Sequence, residues 1–270
     1  MKHVVSFSGG VGSWATGRRV AQKYGTDDLV LLVADTNTEA DDWRPFVDAC
    51  HADIGGELIM LDNDGKDIWD TFKDARFIGN SRVDVCSRVL KREPLRAWFE
   101  ETCDPENTIV YLGFDWTEEH RLHRARPYWE PWHIESPLCD PPYLQKAELL
   151  EELDSVGIPR PKLYAAGFPH NNCGGACVKG GQAQWRRLLF TDPRRYAYHE
   201  DKEEEMREFL DKNISILRDR TGGESTPLTL RSFRERITKE PSLFDKDDGD
   251  ACSCMTPMEP REIHVQLGSP

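Results

Sequence analysis

Short apolar runs recur at regular intervals through the first half of the chain. They predict four strands, at residues 3–7, 29–34, 57–61 and 108–112, because each run is rich in valine, leucine or isoleucine. Apolar and polar residues do not alternate strictly within these runs. That pattern is typical of strands that are buried on both faces of a sheet.

The stretches between these runs are amphipathic and predict helices at residues 14–24, 41–52, 66–75 and 86–102. Strands that alternate with helices are typical of a parallel sheet. We therefore predict an α/β fold: a Rossmann-like, mostly parallel sheet with helices on both faces, followed by a helical C-terminal extension that contains cysteines.

The pattern changes after residue 127, where prolines interrupt the chain repeatedly. Helices are predicted at 144–156, 182–190 and 196–213, and the polar, glycine-containing stretch 219–228 is typical of a linker. We expect an α/β core at 1–135, a helical region with a cysteine pair packed on it at 136–218, and a linker and tail at 219–270.

Composition narrows the class of protein. The chain has 270 residues, 38% of them hydrophobic, and a formal net charge of −13. These values are typical of a globular protein and disfavour a disordered chain or a general nucleic-acid coat protein. No apolar run is long enough to cross a bilayer, and the start lacks a signal-peptide pattern, so we expect a soluble, cytoplasmic protein without membrane contacts.

A glycine-rich loop follows the first predicted strand. The segment runs Ser6-Phe7-Ser8-Gly9-Gly10-Val11-Gly12-Ser13 and leads into the first predicted helix. Glycines allow main-chain N–H groups to approach anionic oxygens closely, and the start of a helix carries a partial positive charge. Residues 6–13 are therefore a candidate phosphate site, with Ser8 and Ser13 as hydroxyl donors.

This loop resembles the PP-loop of the adenine-nucleotide α-hydrolase-like superfamily, and later segments resemble its PAPS/APS reductase-like family. Val11-Gly12 stands where that loop usually has Lys-Asp. The later segments, in the family's order, are 33–39 (VADTNTE), 84–95 (DVCSRVLKREPL), 112–124 (LGFDWTEEHRLHR) and 157–168 (GIPRPKLYAAGF).

The resemblance implies a nucleotide site and an enzyme of sulfur chemistry. It places Asp35, Thr36, Gly113 and Phe114 with the glycine loop around ATP or an adenylyl sulfate, with magnesium as a further candidate. Arginine suits phosphate and sulfate. Residues 81–96 carry five basic side chains against two acidic ones. The candidate phosphate- or sulfate-binding residues are Arg88, Lys91, Arg121 and Arg124.

The chain has eight cysteines. By the same resemblance, Cys86 and the pair Cys173 and Cys177 would ligate an iron–sulfur cluster. Cys254 is the preferred fourth ligand, with Cys252 or Cys139 as alternatives. Zinc is the alternative metal, since tetrahedral cysteine sites and a nearby histidine suit it. Cys50 and Cys103 lie in apolar helical patterns and are predicted to be inert core residues.

Two reactions remain open from the sequence. The first is reduction of an adenylyl sulfate, with Cys252 or Cys254 as the nucleophile and a reductant protein as partner. The second is adenylation by ATP followed by sulfur transfer to tRNA, DNA or a small molecule. The alternatives are a non-catalytic nucleotide sensor and a zinc-stabilised, ATP-dependent enzyme of nucleic-acid modification. The oligomeric state is not predicted.

Overall fold

The computed structural model describes residues 1–221 and 223–239. The strands are β1 Lys2–Ser6, β2 Leu29–Ala34, β3 Glu57–Leu61, β4 Thr108–Tyr111, β5 His133–Glu135, β6 Leu217–Asp219 and β7 Thr226–Leu228. The α-helices are α1 Val11–Tyr24, α2 Trp43–Ile54, α3 Ile68–Ala75, α4 Val85–Ser87, α5 Glu93–Thr102, α6 Glu119–Trp129, α7 Lys146–Ser155, α8 Lys162–Ala165, α9 Gln182–Thr191, α10 Pro193–Leu210 and α11 Leu230–Lys239.

The main sheet has the order β3-β2-β1-β4-β5, and all of its strands are parallel. Neighbouring residues of β1 and β2 point to opposite faces. Val5 and Leu31 pack with α1, α2 and α7 on one face, whereas Val4, Val30 and Leu32 pack with α5 and α6 on the other. The predicted α/β class, with helices on both faces of a parallel sheet, is confirmed.

Two of the differences from the predicted helices have clear local reasons. The predicted helix at 86–102 is divided into α4, a π-helical segment Arg88–Arg92, and α5, in whose first turn Pro94 lies. Proline is tolerated in a first turn because its missing N–H would have no helical acceptor there. The predicted helix at 196–213 begins earlier, at Pro193, because Asp192 caps it by accepting from Arg195 N at 3.0 Å.

A further hydrophobic core lies mostly in the second half of the chain, next to Cys86, and includes Ala176. It joins Phe72 of α3 and Leu90 to Trp185 of α9, Tyr196 of α10 and Phe233 of α11. The cysteine-containing extension is therefore helical, as predicted, and shares its apolar interior with α3 of the preceding α/β part. Within the described ranges, no helix combines the length and apolar character that crossing a membrane requires.

The stretch predicted as a linker, 219–228, includes strand residues, because β6 ends at Asp219 and β7 is Thr226–Leu228. β6 pairs antiparallel with β7, and both Leu217 and Leu228 are buried. Glu203 of α10 ties the flanks of this hairpin, since its carboxylate accepts from Ile216 N at 2.8 Å and from Leu230 N at 2.6 Å. The polar composition between the two strands suggested a linker, although the buried Leu217 and Leu228 anchor the two strands of the hairpin.

Burial raises the pKa of Glu203 to about 7, because desolvation outweighs its two main-chain hydrogen bonds. The folded chain therefore holds a proton that the unfolded chain releases above its ordinary pKa of 4.5. We expect this group's contribution to the free energy of unfolding to fall by about 2–3 kcal/mol as the pH rises through that window. Urea denaturation at about pH 5 and about pH 8 measures this change.

Glu203→Gln is the matching variant. Its amide NH2 must meet one of the two main-chain donors, so it should be less stable than the parent at about pH 5. It should nevertheless lose less stability between the two pH values. An equal loss in parent and variant would contradict the assignment.

Candidate functional site

The glycine loop connects the carboxyl end of β1 to α1. Gly10 is the residue before the first helical turn, and its N–H donates to Ser13 Oγ at 3.2 Å. Ser13 Oγ in turn donates to Gly10 O at 2.8 Å, and Ser8 Oγ donates to Ser13 Oγ at 3.4 Å. Ser13 thus stabilises the loop from within, in addition to its predicted place beside a ligand.

Side chains from elsewhere in the chain hold two carbonyls of this loop. Trp43 Nε1 donates to Ser8 O at 3.1 Å, and Asn171 Nδ2 donates to Gly9 O at 2.9 Å. Gly9 has a φ of +70°, and a Cβ at this position would lie 2.1 Å from Trp43 Nε1. The loop therefore needs glycine at position 9 both for its backbone conformation and for space.

An open cleft of about 910 Å³ lies beside the loop. Its walls include Ser8 and Gly10–Ser13 after β1 and Leu112–Asp115 after β4. The strand order reverses between these two neighbouring strands, and open α/β sheets bind ligands at such a switch point. The topology and the glycine loop therefore indicate the same binding site.

Three cationic side chains line this cleft: Lys91, Lys146 and Arg121. Arg121 pairs with Glu118 and lies over the Phe114 ring at 4.4 Å. Among the described residues, Arg121 Nε is buried and has no hydrogen-bond partner. An unmatched guanidinium donor in a cleft indicates a binding site for an anionic ligand.

His170 adds a neutral ring to the cleft wall. Burial lowers its pKa to about 3, and the positive charges of Lys146 and Arg121 add to this effect. The imidazole is therefore uncharged at neutral pH, and the positive charge of the cleft comes from the lysines and the arginine.

A second, smaller pocket of about 380 Å³ is lined by three thiols: Cys86 of α4 and the pair Cys173 and Cys177. Lys91 and Lys179 line it as well. Lys91 therefore contributes to both cavities.

Buried charges organise this cysteine pocket. Glu39, whose side chain is 5% exposed, lies 3.5 Å from Lys91 Nζ. It also accepts hydrogen bonds from Thr36 Oγ1 at 2.9 Å and from Cys173 N. On the other side, Asp84 lies 3.5 Å from Lys179 Nζ. These carboxylates hold both lysines beside the thiols.

The Cys86 thiol is protonated in this arrangement. Burial raises the pKa of Cys86 to about 12, and the neighbouring Cys177 adds to the rise. No group of three or more His, Cys, Asp or Glu side chains within residues 1–221 and 223–239 has the arrangement of a metal site. Cys252 and Cys254 lie outside the described residues. Cys50 and Cys103 are buried, as predicted, and Cys139 lies 3.6 Å from Phe114 O.

The other predicted site residues divide between the cavities and their surroundings. Of the glycine loop, Ser6, Ser8, Gly10, Val11, Gly12 and Ser13 line the cleft, as do Gly113 and Phe114. Phe7 is buried in the core, and Gly9 lies behind the loop against Trp43.

Asp35 accepts from Asn37 N at 2.8 Å within a turn, and Thr36 lines the cysteine pocket. Arg88 is exposed and pairs with Glu93 at 2.5 Å. Arg124 is exposed on α6. Neither arginine lines either cavity.

The site residues that are absent from the sequence-based set include Glu39, Lys146, Tyr164 and Asn171. Glu39 and Tyr164 stand inside the family-like segments 33–39 and 157–168, so their position offered a signal. Lys146 begins an ordinary amphipathic helix, α7, and Asn171 lies in a loop. For these two, only the fold reveals the role.

Comparisons with known proteins found no matching family model and no matching curated protein. Among solved structures, the fold is similar to the phosphoadenylyl-sulfate (PAPS) reductase from Candida auris in its phosphate complex. The identity is 15% and the TM-score 0.45, over 62% of this chain and 79% of that chain.

The fold is also similar to the U34-tRNA thiolase NcsA from Methanococcus maripaludis, solved with its [4Fe-4S] cluster. The identity is 14% and the TM-score 0.44, over 78% of this chain and 73% of that chain. At these values the likeness concerns the fold and not the reaction.

Proposed function

We propose that this protein is an enzyme that binds an adenine nucleotide, either ATP or an adenylyl sulfate, and uses the neighbouring cysteines in sulfur chemistry. One observation carries the proposal: Lys91 lines both the glycine-loop cleft and the cysteine pocket. The two cavities therefore share Lys91 as a wall residue, and an anion bound in the cleft would lie next to the cavity that the thiols line.

The cleft supports phosphate binding through groups of two kinds. The glycine loop and the start of α1 offer main-chain donors and a partial positive charge. Lys91, Lys146 and Arg121 add full charges, and Arg121 Nε is a buried donor that has no partner among the described residues. A di- or triphosphate suits this combination better than a neutral ligand does.

The type of donor in the cysteine pocket supports an iron–sulfur cluster. Cys86, Cys173 and Cys177 supply three thiols around one cavity, and Lys91 and Lys179 would offset the charge of the thiolates that form when a metal binds. A fourth ligand would come from Cys254, Cys252 or Cys139. Such a cluster would supply a site that holds sulfide or transfers electrons. Zinc bound by the same thiols would give a structural site instead.

The proposed chemistry begins with attack on the nucleotide. In the ATP branch, an oxygen of the acceptor (tRNA, DNA or a small molecule) attacks the α-phosphorus and pyrophosphate leaves. A sulfur nucleophile then displaces AMP. In the adenylyl sulfate branch, two electrons from a reductant protein convert the sulfate group to sulfite, and the nucleotide monophosphate leaves.

The test uses protein purified without oxygen. Calorimetry with ATP and with adenylyl sulfate measures binding, and product assays measure pyrophosphate and sulfite. Pyrophosphate release supports the ATP branch, and sulfite release supports reduction. Binding without either product would favour a nucleotide sensor. Failure to bind either nucleotide would overturn the proposal.

Arg121→Gln is expected to weaken ATP binding by about ten-fold or more, because a charged, partly buried donor to phosphate is lost. Arg126→Gln is the matched control, since Arg126 is an exposed residue of the same helix, α6. Calorimetric titration compares the two variants. Equal affinities in both would remove Arg121 from the phosphate site.

A further inference from the structure

Tyr164 connects the glycine loop to the second half of the chain. It belongs to α8, and its side chain forms part of the cleft wall. Its hydroxyl oxygen accepts a hydrogen bond from Val11 N at 3.0 Å. A Cβ placed on Gly10 would lie 3.2 Å from the same oxygen. The hydroxyl therefore lies against the point where the loop becomes α1.

The hydrogen of this hydroxyl is left to donate. Val11 N–H already occupies the Tyr164 oxygen as an acceptor, so what the phenol has left to offer a further partner is its own hydrogen. Within the described part of the chain, no group accepts the hydroxyl hydrogen. Burial raises the pKa of Tyr164 to about 12, so the hydroxyl keeps its proton at neutral pH.

The surroundings select an anionic acceptor for this hydrogen. Because Val11 N–H is already bound to Tyr164, a ligand at the start of α1 meets the hydroxyl in place of that N–H. Lys91, Lys146 and Arg121 line the same cleft, so an oxyanion is favoured there over an uncharged group. The Tyr164 hydroxyl thus adds one hydrogen-bond donor to the main-chain donors of the glycine loop.

Asn171, which follows Tyr164 in the chain, holds the glycine loop in place beside the Tyr164 hydroxyl. Asn171 is 1% exposed, and its amide nitrogen must face Gly9 O because a carbonyl only accepts. The Gly9 carbonyl is therefore engaged and does not oppose an incoming anion. Tyr164 and Asn171 together fix the loop from one side.

We propose that Tyr164 is a phosphate-binding residue. Its hydroxyl oxygen accepts a hydrogen bond from Val11 N–H, and the hydroxyl donates its own hydrogen to a phosphate oxygen of the bound nucleotide. This inference rests on the proposed nucleotide site and adds to it a donor that lies far from the glycine loop in sequence.

The test is Tyr164→Phe, which keeps the ring and removes only the hydroxyl. Calorimetry with ATP should give a dissociation constant about ten-fold higher than that of the wild type, because one hydrogen bond to a charged group is lost. Tyr143→Phe is the matched control, since Tyr143 is 56% exposed and does not line the cleft. Its dissociation constant should not change.

Thermal unfolding of each variant separates binding from folding. A lower melting temperature of Tyr164→Phe with unchanged ATP affinity would mean a structural role only and would overturn the inference. Tighter binding would overturn it too, because it would mean that the hydroxyl merely blocks Val11 N–H. If the wild type itself does not bind ATP or adenylyl sulfate, the proposed function fails instead.

A crystal structure of the wild type with ATP provides a measure that does not depend on any variant. The Tyr164 hydroxyl should lie within hydrogen-bond distance of a phosphate oxygen. A phosphate group bound at the loop without this contact would refute the inference and leave the nucleotide site intact.

Discussion

Replacing Cys86, Cys173 or Cys177 singly by serine is expected to abolish stable binding of the iron–sulfur cluster proposed above. These three thiols line one small pocket, and no other described cysteine lines it. Serine keeps the approximate size of the side chain but has no sulfur, so it cannot supply the thiolate that binds iron. Iron and acid-labile sulfide content, with the visible absorption of protein purified without oxygen, measure the result.

Cys103→Ala is the matched control, because Cys103 is buried among the residues of the opposite sheet face, with Phe99 and Trp132. It should retain the metal content of the parent. Full iron content in all three serine variants would contradict the site. Stoichiometric zinc without iron in the parent would identify the alternative metal. Serine variants of Cys139, Cys252 and Cys254 then identify the fourth ligand.

Gly9→Ala is expected to lower the free energy of unfolding by about 3 kcal/mol or more and to abolish nucleotide binding. The added Cβ would overlap the Trp43 indole, which is buried at 3% exposure and hydrogen bonded to Ser8 O. A positive φ adds a backbone cost of about 1 kcal/mol, and relief of the overlap must displace either the indole or the loop. Chemical denaturation and ATP calorimetry measure the two effects.

Gly25→Ala separates these two costs. Gly25 also has a positive φ, +82°, but nothing lies within 4 Å of its Cβ position. It should lose only the backbone contribution and should still bind ATP. Equal destabilisation by the two substitutions would show that the Trp43 side chain can move aside at little cost. The loop would then not depend on its contact with Trp43.

The first four strands of the main sheet could be predicted because each is a continuous apolar run. For β2 and β3 the predicted bounds equal the observed ones, 29–34 and 57–61. β5 escaped prediction because it has only three residues, His133–Glu135, within a proline-rich stretch. Its place beside β4 depends on pairing with Val110, which no local pattern encodes.

The candidate site divides in the same way. The glycine loop is a local motif, and its location between β1 and α1 follows from the sequence. The meeting of Cys86 with Cys173 and Cys177 was expected only through the family resemblance, because nothing in their spacing brings them together. The charges that support the pocket, such as Glu39 beside Lys91, arise from contacts between distant segments.

Arginines illustrate why residue type alone was insufficient. Arg88 and Arg121 both follow family-like patterns, yet Arg88 is turned to solvent and pairs with Glu93, whereas Arg121 is 9% exposed and lines the cleft. Arg88 begins a π-helical segment, residues 88–92, whose period differs from that of an α-helix, so standard helical periodicity does not predict which of its side chains are buried.

The position of β1 at the centre of the sheet affects the order in which the protein can assemble. β1 pairs on one side with β2, which follows closely, and on the other with β4, which begins only at Thr108. Until that later strand is available, β1 presents a row of unmatched amide and carbonyl groups along an apolar edge. Fragments that end before residue 108 should therefore self-associate, and synthesis passes through a stage in which chaperone protection matters most.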